Sequence, residues 1–257
     1  LPPPGTLAIF IAGTVLMRSA GCVINDFADR GFDGHVERTK GRPLVTGELT
    51  KTEALVFAYA VGLGSVLWLG LLVNWLASLL SLAAILFYVL IYTLLLKRRT
   101  PQNIVWGGAA GAMPVLIGWA AVTETLSAAP WVLFLIIFLW TPPHYWPLSM
   151  KYREDYAAAG VPMLPVVRNN RIVGIQIVLY SWALVASTLL LIPIANMGWI
   201  YSATAVASGA WFLLEAYRLN REGQLGEPKN PMRLFHGSIS YLALLFIAIA
   251  IDPLIRF

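Results

Sequence analysis

Apolar residues run along this chain in eight long stretches, near 5–24, 53–73, 76–96, 103–122, 130–147, 172–195, 198–217 and 235–252. Each approaches the roughly 20 residues that a helix rising 1.5 Å per residue needs to cross a hydrocarbon core. The runs are continuous and do not alternate apolar with polar over ten-residue segments, so they predict helices and not the strands of a membrane barrel. The expected fold class is all-α: a polytopic membrane helical bundle, read as a single transmembrane domain over 1–257.

The polar connections carry a second pattern. Lys and Arg number five in 25–52, none in 74–75, three in 97–102, none in 123–129, four in 148–171, none in 196–197 and four in 218–234. This strict alternation places the basic connections on the cytoplasmic side or its organellar equivalent. Both visible termini then fall on the outer side. One further helix upstream, making nine, would bring the amino terminus inside, and a chain opening on Leu1-Pro2-Pro3-Pro4 fits that expectation.

Composition agrees: 58% of residues are hydrophobic before glycine is counted and 12% are charged, about half the usual share. So few charges exclude an ordinary soluble enzyme, a disordered chain and a collagen-like fibre. The net charge of +5 follows from topology and gives no support to a nucleic-acid partner. A single cysteine, Cys22, excludes an internal disulfide, a four-thiolate zinc site and an iron–sulfur cluster held by this chain alone.

Two polar segments are not explained by hydrophobic burial. The first, NDFADRGFDGHVERTKGRPL from Asn25, holds Asp26, Asp29, Asp33 and Glu37. Continued as a helix, Asn25, Asp29 and Asp33 stand four apart on one face with Asp26 beside them. Like charges so spaced repel by a few tenths of a kcal/mol per pair on a wet helix and by more where the dielectric falls. A divalent cation reverses that sign, and hard oxygen ligands with incomplete protein coordination suit Mg²⁺, which keeps waters and bridges carboxylates to substrate phosphates. A solvated acidic loop balanced by Arg30, Arg38, Lys40 and Arg42 satisfies the same spacing equally well.

The second segment, TPPHYWPLSMKYREDYAAAGVPMLPVV, follows the fifth stretch and mixes signs in His144, Lys151, Arg153, Glu154 and Asp155. Such a set can bind an anion as well as a metal. Pro142, Pro143 and Pro147 are expected to break or kink the helix there. Both segments leave inward-going spans, which suggests a parallel internal duplication of four spans and four. Arg18 lies about two turns inside the first stretch, marking either a site or a side chain snorkelling to the interface. Gly107, Gly108 and Gly111 form a small face suited to close helix packing. Tyr88, Tyr92, Trp119, Trp140, Tyr145 and Trp146 are candidates to line a cavity where ring faces stabilise a passing cation.

The strings NDxxDxxxD, RPLVTG and KRRTPQN, with a second polar loop after the fifth span, resemble the intramembrane UbiA-type prenyltransferase superfamily. YTLLLKRRTPQNIVWGGAAGAMPVLIGWAAVT, the second polar segment and MRLFHGSISYLALLFIAIAIDPL resemble its protoheme IX farnesyltransferase (heme O synthase) branch. By contrast, LMRSAGCVINDFADRGFDGHVERTKGRPL is closer to the 4-hydroxybenzoate polyprenyltransferase branch.

The resemblance implies nine transmembrane helices in an inner (plasma) membrane, with the active-site loops on the cytoplasmic side. It implies farnesyl diphosphate as donor, heme B as acceptor and Mg²⁺ as cofactor, with heme-pathway or oxidase-assembly proteins as further partners. Asn25, Asp29, Asp33 and Asp155 would hold the metal, with Asp26 supporting. Arg42, Lys97, Arg98 and Lys151 would neutralise the diphosphate, whose departure generates an allylic cation. His144, His236 and Tyr145 would contact the acceptor. Transfer to an aromatic acid such as 4-hydroxybenzoate keeps the chemistry and changes only the acceptor. An ion-coupled transporter is the alternative of a different class, although transporters usually place their charges near the midplane on broken, inverted repeats.

Overall fold

The structure is a computed structural model that describes residues 3–34 and 39–255, apart from the side chains of Phe32 and Asp33. Asp33 as a side chain, and Glu37 and Arg38 altogether, therefore lie outside the described residues. Among the described residues the chain is all-helical, with no strand. Its contacts divide it into two compact units, Leu1–Arg98 with Met113–Leu126, and Arg99–Ala112 with Ser127–Phe257.

The first unit contains α1 (Pro4–Asp33), α2 (Pro43–Thr46), α3 (Lys51–Leu72) and α4 (Trp75–Leu86), which runs on as a π-helix over Phe87–Leu96. It also takes the half of α5 (Asn103–Thr123) that begins at Met113. Helices α1 and α3 pack so closely that a methyl group at Gly13 would sit 2.5 Å from Cδ2 of buried Leu69. Thr50 and Glu53 close a reciprocal cap at the start of α3, meeting two amide donors that the helix itself leaves open. Asn74 caps α4 through the Ala77 amide and donates its own amide to the Ala120 carbonyl of α5 at 2.9 Å.

The second unit holds the start of α5, then α6 (Ala128–Lys151), α7 (Arg153–Ala158), α8 (Leu164–Val167), α9 (Asn170–Ile194), α10 (Trp199–Leu225) and α11 (Pro231–Ile251). Helices α6, α9, α10 and α11 pack on one another in sequence around Trp146, Leu184, Phe212 and Tyr241, all fully buried. Small residues set the closest approaches. Gly223 on α10 faces the Asn170 carbonyl, Gly174 on α9 faces Asn220, and Gly108 on α5 faces Thr141. No such neighbour meets Gly111, so the small face of α5 is used at Gly108.

Two boundaries differ from those the sequence suggests. Helix α1 continues for about two and a half turns past its apolar stretch, through Asn25 and Asp29, where a loop reading began. Helix α6 runs unbroken through Pro142, Pro143 and Pro147 to Lys151. Prolines are tolerated in membrane helices when neighbouring elements hold the segment in place. Here Pro142, Pro143 and Pro147 are buried, and Trp140 is tied to α11 by its indole N–H on the Ser238 carbonyl at 2.8 Å.

Among the described residues, seven helical segments are long and apolar enough to cross a membrane. Only 11% to 44% of each one's most apolar window is buried within the protein, so the remaining apolar surface needs lipid as its solvent. The eighth expected span, within α10, falls short of that apolarity: Ser202, Thr204, Ser208 and Gly209 dilute its first half, and Glu215 enters its centre.

Candidate active site

Near the carboxyl end of α1 the helix brings Asn25, Asp26 and Asp29 within about one turn of each other. Asp29 is buried, and each of its oxygens meets a cation: Lys97 Nζ at 2.6 Å on Oδ2 and Arg98 Nη2 at 3.2 Å on Oδ1. Asp26 Oδ1 takes Arg42 Nη1 at 2.7 Å, and Arg42 is fixed by the chain entering α2 at Pro43. The Tyr88 hydroxyl donates to Asn25 Oδ1 at 3.3 Å, and the Tyr88 and Tyr92 rings stack with centroids 5.5 Å apart. Arg30 lies over the Phe27 ring, 4.1 Å from its centroid.

The π-helix is what assembles this group. Its amides reach five residues back, as in Lys97 N to Tyr92 O at 2.7 Å, and Thr93 Oγ1 caps the Tyr88 carbonyl at 2.8 Å. Tyr88 and Lys97 are nine residues apart, which is two and a half turns of an α-helix and would set them on opposite sides. The wider winding returns them to the same side, so both reach α1, one at Asn25 and the other at Asp29.

Among the described residues the node sets Asp26 and Asp29 against Arg42, Lys97 and Arg98, with the Asp29 side chain only 10% exposed, a set able to meet both a metal ion and phosphate oxygens. Among the described residues no three His, Cys, Asp or Glu side chains stand close enough to hold a metal by themselves. The donor set of Asn25, Asp26 and Asp29 still fits Mg²⁺, which takes one or two carboxylates and completes its shell with waters and phosphate oxygens.

The second unit gathers the other sequence candidates differently. Lys151 ends α6 with Nζ 5.3 Å from the Tyr152 ring centre, and Glu154 and Asp155 stand exposed in the first turn of α7. These residues, with Met150, Arg153 and Glu227, line an open cavity of about 390 Å³, within the usual range of ligand pockets. Arg153 anchors the rim by donating to Asn170 Oδ1 and pairing with Glu227 Oε1 at 3.4 Å. Asn170 in turn donates to the Gly226 carbonyl at 3.2 Å. Tyr145 and Tyr156 share a hydroxyl hydrogen bond of 2.9 Å.

Deeper along α6, the half-buried His144 ring lies between Trp140 at 4.0 Å and Phe235 at 4.6 Å, with Nδ1 2.7 Å from Ser238 Oγ. His236 is exposed, with its ring edge-on to Phe235 at 5.2 Å. Arg18 is exposed on α1 with no ion pair among the described residues.

Sequence reasoning missed Asn170, Glu227, Phe235 and Ser238. Asn170 and Glu227 sit at helix ends, far in sequence from the loop they brace, and Ser238 looks like any small residue in an apolar run. Only the pairing of α6 with α11 gives Ser238 its role. The ladder of Tyr88 and Lys97 was hidden for another reason, because an α-helical period was assumed for that stretch.

An all-helical membrane-embedded chain with paired carboxylates and cations at a helix end has the makings of a membrane enzyme that handles a charged headgroup on an apolar substrate. The chain belongs to the UbiA prenyltransferase family, which matches residues 1–239. It is 61% identical over 251 residues to the protoheme IX farnesyltransferase of Clavibacter sepedonicus, covering 98% of this chain and 82% of that protein. It is 61% identical to that of Leifsonia xyli subsp. xyli, covering 98% and 81%, and 52% identical to that of Streptomyces coelicolor, covering 95% and 78%. Among solved structures, the apo form of a UbiA homolog from Aeropyrum pernix K1 superposes with a TM-score of 0.69 at 22% identity, over 98% of this chain and 91% of that one. A structure from work on digeranylgeranylglyceryl phosphate synthase superposes with a TM-score of 0.76 at 18% identity, over 94% and 86%. These two likenesses establish the fold.

Proposed function

We propose that this chain transfers the farnesyl group of farnesyl diphosphate to a vinyl group of protoheme IX, heme B, to form heme O. The observation that carries the reading is the Asp29 node, where a buried carboxylate is shared by Lys97 and Arg98 at the membrane mouth of a chain 61% identical to protoheme IX farnesyltransferases. Lys97, Arg98 and Arg42 are the groups to take the diphosphate oxygens, and their charge favours the departing diphosphate over the intact ester. Asn25, Asp26 and Asp29 are the protein oxygens for Mg²⁺, which supplies further neutralisation of that leaving group when bound. Tyr88 and Tyr92 offer ring faces beside the node, suited to the allylic cation.

Asp33, Lys151 and Asp155 enter as further contacts for the metal and diphosphate on the strength of the sequence motifs. Tyr145, His144 and His236 enter as contacts for the acceptor. Lipid-facing helices keep water from the reactive carbon. We read the protein as one of a bacterial inner membrane, and the alternation of Lys and Arg supports basic segments that face the cytoplasm. We read α10 as an eighth crossing, since 27 residues suffice in length and its polar side chains have buried neighbours.

The test is direct. Membranes containing the full chain are incubated with farnesyl diphosphate, Mg²⁺ and either heme B or 4-hydroxybenzoate, and the lipid-soluble products are weighed by mass spectrometry. A farnesylated heme is expected. A product formed with the benzoate alone would defeat the heme assignment, and solute flux with no prenyl product would defeat the enzyme reading.

A further inference from the structure

Ser238 on α11 performs two tasks for α6. Its carbonyl accepts the Trp140 indole N–H at 2.8 Å, and its hydroxyl lies 2.7 Å from His144 Nδ1. The hydroxyl proton is already committed, since Oγ donates to the Phe235 carbonyl at 2.6 Å. The serine oxygen can therefore only accept from the ring, which assigns the proton of His144 to Nδ1. The ring also has a hydrogen bond to the Phe235 backbone, and with the proton on Nδ1 the lone pair lies on Nε2.

The ring is also held flat. Trp140 covers one side at an interplanar angle of 14° and Phe235 covers the other at 23°. Rotation about the imidazole is blocked by both rings and by the Ser238 bond, so the direction of the Nε2 lone pair is fixed before any ligand arrives. This combination of one nitrogen donating to an outer partner, a locked ring and a second nitrogen bearing the lone pair is the arrangement that metal-ligating histidines use. Imidazole suits iron, and a histidine nitrogen is a usual axial ligand of heme. His236 has an exposed ring.

We propose that His144 Nε2 is an axial ligand to the iron of the porphyrin acceptor, with Ser238 as the residue that positions it. The proposal rests on the heme reading given above and makes it specific: the acceptor is held through its metal, not only through its propionates. The bond is dative, from the Nε2 lone pair to iron, and changes no oxidation state. It requires a metalloporphyrin whose metal accepts nitrogen, and the metal-free macrocycle lacks this contact.

The experiment titrates the purified full chain in detergent with ferric protoporphyrin IX and, separately, with metal-free protoporphyrin IX, following optical absorption and electron paramagnetic resonance. The wild-type iron complex is expected to show an imidazole nitrogen ligand. His144→Ala should lose that signature and bind the iron porphyrin more weakly by at least about tenfold, while its affinity for the metal-free macrocycle stays within about twofold. Added imidazole should restore the signature in His144→Gly, which also controls for folding, and Ser238→Ala should weaken iron binding by about tenfold through the loosened ring. A wild-type iron complex without an imidazole nitrogen, or one whose spectrum survives His144→Ala unchanged, overturns the ligation and leaves heme as acceptor intact. Failure of wild type to bind either porphyrin removes the acceptor reading together with the ligation.

Discussion

The carboxyl end of α1 and the segment where α6 passes into α7 are both polar mouths on apolar helices, yet they are built on opposite plans. At the first, Asp29 is buried and each oxygen is already matched by a cation. At the second, Lys151, Glu154 and Asp155 stand exposed around an open cavity, and the ordered part lies behind them in Arg153 and Asn170. Paired charges in a low-dielectric site hold a fixed geometry and are costly to break. Exposed charges of mixed sign are screened and individually worth little. The first mouth therefore suits an anion that must sit in one place, and the second suits a boundary that can adapt.

This contrast can be broken from several sides. Removal of divalent ions with excess chelator should stop transfer altogether; turnover under those conditions would take the metal out of the first mouth. Asp29→Asn should lower product formation by about 10²–10³-fold with the amount of membrane-inserted protein unchanged, as read by product mass and by immunoblot of washed membranes. Lys97→Ala removes one charge-assisted contact of about 1.5–3 kcal/mol and should reduce kcat/KM for farnesyl diphosphate by about 10–100-fold. Gly223→Ala places a methyl 3.0 Å from the Asn170 carbonyl and should destabilise the second unit by about 1–3 kcal/mol, seen as a lower Tm. Glu227→Gln alters only an ion pair whose acid is 78% exposed and should change Tm and rate least, by about 0–1 kcal/mol. A larger loss from Glu227→Gln than from Lys97→Ala would reverse the assignment of fixed and adaptable mouths.

Much of this was readable from residue order. Apolar runs of bilayer length gave the helices, and the four-residue spacing of Asn25 and Asp29 gave their shared face because α1 does continue that far. The partners of Asp29 were named as candidates for a diphosphate, but nothing in KRRTPQN says that two of its cations grip an aspartate 68 and 69 residues earlier. The proline-rich end of α6 misled because the rule for isolated helices takes no account of α11 alongside. α10 illustrates the reverse difficulty, since its hydroxyls bond back to its own carbonyls, as Thr204 and Ser208 do, and so its polarity on paper overstates its polarity in the fold. His144 was recognisable as a candidate, whereas the state of its nitrogens depends on a serine 94 residues away.

The stretch Phe87–Leu96 is apolar apart from Thr93, and lipid would accept other apolar side chains at its exposed positions. Its length is another matter. Because the aim of the Lys97 ammonium depends on how many residues are wound between Tyr92 and the membrane edge, a single lost or gained methylene-rich residue would leave the hydropathy profile untouched and point the charge at the wrong neighbour. Information about headgroup recognition is thus stored in a count, inside a segment whose composition says only that it is oily.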